Sequence, residues 1–294
     1  MNYIKNIIIG TTNYIPGYGL NTNKSSNLKK NNELMIKCYR NGLQHFDLSP
    51  IYGLAEKSFG KVFFKKKIII DTKLSIIKTN KKKIKKINVL EKIFQNSLKN
   101  LNVNKVNILY IHSLKDFFKY KKEYLNLFKK LKTKNKIKKI GFSIYSLNDL
   151  KKIIKIIKPD IIQVPFNIFN QDFNNDYVKK LRKKYKIKFY IRSIFLKGLL
   201  LSNNLSLSNT KFLQKNAYLF NKYYEFLKIH KITKLEACLF FVLNSNFDKI
   251  IVGLENINQL NSLIKVLNMK NVPKINFSNL KSNKPSLIDL RKWK

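Results

Sequence analysis

Short, β-branched apolar runs alternate along the whole chain with lysine-rich segments of helical period, and that alternation leaves few folds open. A strand, a helix and a further strand read as one βα crossover, which makes neighbouring strands parallel. Eight such units are present. Strands are expected at Tyr3–Ile9, His45–Ser49, Ile68–Leu74, Lys105–Ser113, Lys139–Ile144, Asp160–Asn167, Ile187–Phe195 and Asp248–Leu254. Helices are expected near Asn27–Asn41, Ala55–Phe63, Asn88–Asn100, Lys121–Lys134, Leu147–Lys158, Asn175–Tyr185, Phe212–Asn244 (broken around Ile232–Thr233) and Ile257–Asn268. Runs such as IIID, VNILYIH and DIIQVPF are almost continuously apolar, as strands covered on both faces require. An open doubly wound sheet would carry a glycine-rich phosphate loop after its first strand. Here Gly10 is followed by Thr11 and Thr12, and no GxGxxG or P-loop pattern occurs. The expectation is an α/β chain closed into a (β/α)8 TIM barrel, one domain over residues 1–294 with a polar tail at 271–294.

Charge narrows the partners. The net charge is +44, from 60 Lys+Arg against 16 Asp+Glu, which ordinarily raises the prospect of nucleic-acid binding. Arginine, however, occurs only at Arg40, Arg182, Arg192 and Arg291, and lysine is spread over every polar segment. Lys, Asn, Ile, Phe and Tyr are enriched together, and all have A/T-rich codons, so base composition accounts for the lysine surface. No specific nucleic-acid partner is expected; a real one would bind without sequence preference and be lost steeply with salt. Cys38 and Cys238 lie in apolar or helical stretches without metal-ligand spacing, which excludes a disulfide framework and gives no metal site. The opening MNYIKNIIIG runs into a strand-like segment, and no apolar run approaches a membrane span. A cytoplasmic protein without membrane contact is expected.

A barrel of this kind builds its site at the carboxyl ends of its strands. The polar groups there are Gly10-Thr11, Asp47, Lys73, His112, Ser143, Gln163, Arg192 and Gly253, with Tyr52 just beyond the second strand in SPIYG. Asp47, Tyr52, Lys73 and His112 together offer what hydride chemistry at a carbonyl needs. Negative charge grows on the oxygen as hydride reaches carbon, so a proton donor and a fixed positive environment must already be present. A tyrosine becomes a usable acid when a cation stabilises its phenolate; Lys73 is the cation, Asp47 holds it, and His112 orients the oxygen. Singly, each group has a commoner structural role, and His45, on the same strand face as Asp47, reads as core. His230 reads as exposed.

The segment HFDLSPIYGLAEKSFG (His45–Gly60) resembles the signature of the aldo-keto reductases, with an aspartate, a tyrosine, a glutamate and a glycine in that order. DTKLS, LYIHS, KKIGFSIYS, DIIQVPFNIFN and TKLEACLFFVLNSNFDKIIVGLENINQL are similar to further segments of that family, and SLIDLRKWK resembles members' tails. The resemblance spans the chain in the right order. It implies a catalytic tetrad of Asp47, Tyr52, Lys73 and His112 with Tyr52 as acid/base. It also implies contacts from Gly10, Thr11, Ser143, Gln163, Arg192, Ser193, Gly253 and Gln259 to an extended NADPH or NADH.

Three positions depart from the pattern. Arg192 stands where many members place an aromatic residue against the nicotinamide. Glu255 stands where NADPH-preferring members often carry a basic residue, which keeps NADH in play. Asp71, two residues before Lys73, could compete with Asp47 for the ammonium. The implied activity is hydride transfer to a small aldehyde or ketone, sugar-like by the resemblance of RSIFLKGLLL, or from the corresponding alcohol. The alternative is a regulatory barrel that binds cofactor without turnover, against which the intact tetrad argues.

Overall fold

The computed structural model describes residues 3–19, 27–74, 86–202, 210–289 and 291. Eight strands form a closed parallel barrel in sequence order: β1 (Ile7–Gly10), β2 (His45–Asp47), β3 (Ile69–Leu74), β4 (Val106–Ile111), β5 (Ile137–Ser143), β6 (Ile161–Pro165), β7 (Lys188–Arg192) and β8 (Lys249–Gly253). The last strand pairs with the first from Ile7↔Ile250 to Gly10↔Gly253. No edge is left, so every strand lies between two others, as the continuous apolar runs require.

The outer layer comprises α1 (Leu28–Arg40), α2 (Ala55–Val62), α3 (Lys86–Leu101), α4 (Leu114–Lys119), α5 (Lys121–Thr133), α6 (Leu147–Ile154), α7 (Asp176–Tyr185), α8 (Thr210–His230), α9 (Lys234–Leu243), α10 (Ile257–Leu267) and α11 (Pro285–Ile288). Their starts follow capping chemistry. Asn27, Asn175 and Asn256 each accept a backbone N–H three residues on, and Ser146–Asp149 and Thr233–Glu236 form reciprocal capping boxes. The long helical stretch expected over Phe212–Asn244 is two helices, separated at Lys231 (φ 50°) and restarted by Thr233.

Two expectations change on folding. Tyr3–Asn6 form a 3-10 turn rather than strand, because pairing with β8 begins only at Ile7. The tail from 271, read as polar, is docked through its apolar residues: Val272, Phe277, Leu280, Leu287 and Ile288 are buried in the main core. Ser282 N donates to Phe169 O at 2.8 Å, and Gln171 Nε2 donates to Phe277 O at 2.9 Å, fixing the tail to the segment after β6.

Side-chain alternation along the strands separates two cores. Ile7, Ile9, Phe46, Ile70, Leu109 and Ile111 face outward into the layer beneath the helices. Ile8, Ile108, Tyr110, Ile161, Tyr190 and Ile251 form a separate cluster inside the barrel. That inner cluster is the floor of the site. Two residues further along the same faces come Gly10, His112, Gln163, Arg192 and Gly253.

Candidate active site

Above this floor opens a cavity of about 450 Å³. Its walls include eleven of the twelve residues expected from sequence: Asp47, Tyr52, Lys73 and His112, then Gly10, Ser143, Gln163, Arg192, Ser193, Gly253 and Gln259. Thr11 is the exception. It is fully buried, and both its backbone N (3.2 Å) and its Oγ1 (3.0 Å) donate to Asp47 O, so it braces β2 from outside the cavity. Thr12 lines the cavity instead. The reason is parity: Gly10 faces inward, so its neighbour faces out.

Lys73 and Asp47 form the centre. Their side chains are 2% and 6% exposed, and Lys73 Nζ donates to Asp47 Oδ2 at 2.5 Å and to Leu48 O at 3.0 Å. A pair this buried persists because each charge meets the other and the Leu48 carbonyl gives the ammonium a second bond. Gln163 Nε2 adds a bond to Asp47 Oδ1 at 3.1 Å. Asp71 does not compete for the ammonium. It accepts from Asn107 Nδ2 at 2.8 Å and lies 2.7 Å from His45 Nε2, one layer lower. His45 is therefore buried, as its place on β2 implied, whereas His230 at the end of α8 is exposed.

The Lys73 ammonium lies 4.8 Å from the centre of the Tyr52 ring. Burial, and then the Asp47 carboxylate, push the Tyr52 phenol well above its ordinary value, while the Arg192 charge pulls it down. Tyr52 thus rests as a neutral phenol, the form that can donate a proton. The His112 ring meets that of Tyr52 edge-on at 6.4 Å. Burial, followed by Lys73 and Arg192, holds the His112 imidazole down to about 3. His112 is neutral at physiological pH and keeps one N–H to offer.

Beside the tetrad the walls suit an extended, phosphate-bearing ligand. Gly10 and Gly253 lie side by side in the β1–β8 register, and a Cβ on Gly253 would meet nothing closer than Thr12 Oγ1 at 4.0 Å. A side chain there would fill the groove. Gln163 Oε1 is buried without a partner, ready for an amide N–H. The N-terminus of α10 opens beside Gln259, whose N donates to Asn256 Oδ1 at 2.9 Å and whose Oε1 accepts from Glu255 N at 2.8 Å. Helix N-termini favour phosphate oxygens. No cluster of three or more His, Cys, Asp or Glu placed to hold a metal occurs among the described residues.

The family model for the aldo/keto reductase family matches residues 6–283. The chain belongs to the aldo/keto reductase family. Membership makes it an oxidoreductase by descent. Solved structures agree on the fold. The aldo-keto reductase AKR11C1 from Bacillus halodurans, in its holo form, superposes with TM-score 0.74 at 15% identity, covering 98% of this chain and 95% of that one. The glycerol dehydrogenase AKR11B4 from Gluconobacter oxydans gives TM-score 0.67 at 17% identity, covering 88% and 85%. No curated protein is matched by sequence.

Sequence reasoning missed Tyr18, Tyr145 and Arg291, all of which line the cavity of this aldo/keto reductase. Tyr18 sits between Gly17 (φ 67°) and Gly19 (φ 109°) in the loop after β1; a G-Y-G triplet was the available signal. Tyr145 follows β5, and Arg291 arrives with the docked tail, which no local pattern could place.

Proposed function

We propose that this protein transfers hydride between a nicotinamide dinucleotide and a small aldehyde or ketone, or the corresponding alcohol, with Tyr52 as the proton donor and acceptor. What supports the reading is the buried Lys73–Asp47 pair standing under the Tyr52 ring on the same wall as a neutral His112. When bound, the cofactor supplies the hydride. The other groups are this chain's own. The His112 N–H holds the substrate oxygen at the angle that brings it to the Tyr52 hydroxyl. Tyr52 gives up its proton as negative charge develops on that oxygen, and the Lys73 ammonium stabilises the phenolate left behind. Asp47, fixed by Gln163 and by Thr11 through its carbonyl, holds the ammonium in place.

The cofactor would lie across Gly10 and Gly253, with Ser143 and Gln163 reading its carboxamide, Arg192 against its ring, and Ser193 and Gln259 along its length. Glu255, exposed beside Gln259, is the residue that sets NADH against NADPH, since a carboxylate repels a ribose phosphate.

Turnover of a carbonyl panel with NADPH and with NADH tests this reading, on the wild type and on Tyr52→Phe. The substitution is expected to lower kcat by roughly a hundredfold or more, the size of a general-acid contribution, with cofactor Kd changed by less than about threefold. Equal loss of binding and turnover would make Tyr52 a structural residue. Unchanged turnover would assign the acid elsewhere.

A further inference from the structure

Two tyrosine rings stand within reach of the Lys73 ammonium. Its Nζ lies 4.8 Å from the centre of the Tyr52 ring and 6.0 Å from that of Tyr110. Tyr52 comes from the loop beyond β2. Tyr110 is the register partner of Lys73 on β4, is fully buried, and belongs to the inner cluster beneath the site. It does not line the cavity, so a molecule that enters the cavity does not meet it.

The Tyr110 ring is wedged from the next strand. Gly141 on β5 is its other register partner, and a Cβ added to Gly141 would fall 2.3 Å from Tyr110 Cδ1 and 2.4 Å from Cε1. The ring therefore occupies the space that any other residue at 141 would fill. Its hydroxyl is near the Gln163 side chain but meets the geometry of no hydrogen bond. A buried phenol left unbonded is a cost that phenylalanine would avoid, so what this position offers its surroundings is the ring.

The bonds of the ammonium run the other way. Lys73 Nζ donates to Asp47 Oδ2 at 2.5 Å and to Leu48 O at 3.0 Å, acceptors at the end of β2 and just after it. Lys73 on β3 is thus bonded on its β2 side and backed by an aromatic ring on its β4 side. An aromatic face attracts a cation without using any of its hydrogen bonds.

We propose that Tyr110 is a positioning residue for the proton transfer: wedged against Gly141, its ring backs the Lys73 ammonium from the β4 side and keeps it against the Tyr52 ring. The proton-transfer half of this proposal rests on the reductase reading above; the placement of the ammonium does not. Displacing a catalytic charge by about 1 Å can lower a rate by about a hundredfold, which is why a residue outside the cavity matters to the chemistry within it.

A double-mutant cycle of Tyr110→Leu and Lys73→Met, read in kcat and in urea unfolding, tests the proposal. Tyr110→Leu alone is expected to lower kcat by roughly ten- to hundredfold, with KM and cofactor Kd changed by less than about threefold. Tyr110→Phe, which keeps the ring, is expected to hold kcat within about threefold of the wild type. In the Lys73→Met background, Tyr110→Leu is expected to cost less than about threefold, since the group it acts through is gone. Equal losses in the two backgrounds, or a Tyr110→Phe protein as slow as Tyr110→Leu, overturns the proposal and leaves the reductase reading standing. Absence of turnover in the wild type sinks the reductase reading, and unfolding then judges the placement. A double variant whose urea midpoint falls by less than the sum of the two single shifts upholds the contact between Tyr110 and Lys73; a fall equal to the sum overturns it. Should Tyr110→Leu fail to fold, Tyr110→Met, unbranched and better able to fill the gap, takes its place in the cycle.

Discussion

At the scale of single residues, the site is governed by what burial does to ionisable groups. His112 is the clearest case, because burial and the Lys73 charge keep its imidazole neutral down to about 3, against an ordinary value near 6.5. Between those values the unfolded chain binds a proton that the folded chain refuses. Stability contributed by the neutral ring is therefore complete above pH 6.5 and is lost progressively as pH falls toward 3. Replacing His112 with Gln, which keeps an N–H but cannot titrate, is expected to flatten the acid side of a Tm-versus-pH curve across that window. Parallel curves for the two proteins would mean that the imidazole is solvated and titrates normally. The same residue-level physics explains why Asp71 and Asp47, register partners on β3 and β2, bond different groups. Each carboxylate takes the donor in its own layer, His45 with Asn107 below and Lys73 with Gln163 above.

At the scale of elements, the second βα unit shows how a glycine and a glutamate in the signature segment serve architecture rather than chemistry. Gly60 sits where α2 crosses α3, and a Cβ added there would fall 2.0 Å from the backbone oxygen of Asn100. Backbone cannot yield as a side chain tip can. Gly60→Ala is expected to destabilise the fold by about 3 kcal/mol, the upper part of the range for overpacked sites, read as a lower urea midpoint with an unchanged slope. A midpoint within error of the wild type would mean that α2 and α3 slide apart freely. Glu56, also on α2, is buried and accepts from Thr72 Oγ1 at 2.6 Å, which ties the helix to β3 next to Lys73. Element boundaries were legible where a cap or a strand partner is local, as at Thr233 and Asn256. They were not legible at Leu114–Lys119, where Ser113 capping Asp116 N starts a helix too short to show a period.

At the scale of the molecule, the charge of +44 is a cost carried by the fold. Surface pairs such as Lys130–Glu91 and Lys132–Asp160 engage acidic residues, but 16 carboxylates cannot offset 60 cations. Lysine–lysine repulsion acts over distances that salt screens effectively. Raising NaCl from low millimolar to physiological levels at pH 7 is expected to raise the calorimetric Tm by about 2–4 °C, which for a chain of this size corresponds to roughly 1 kcal/mol. A Tm that falls with salt would locate net attraction, not repulsion, in the surface charges. No helix among the described residues is long and apolar enough to cross a membrane.

Period and order along the chain were enough to determine the parallel eight-stranded arrangement and the strand-end positions of Asp47, Lys73, His112, Ser143, Gln163, Arg192 and Gly253, while the family was legible from the resemblance of its motif segments. These properties repeat at two residues in a strand and about 3.6 in a helix, so a linear pattern carries them. Tertiary structure alone decided which carboxylate holds Lys73, that Thr11 turns away from the cavity, and that Arg291 reaches it. Each depends on groups far apart in sequence: Arg291 meets Tyr145 only because the tail's apolar residues dock beside the segment after β6. Long-range contacts of that kind come from closing the barrel and covering it, and no local period encodes them.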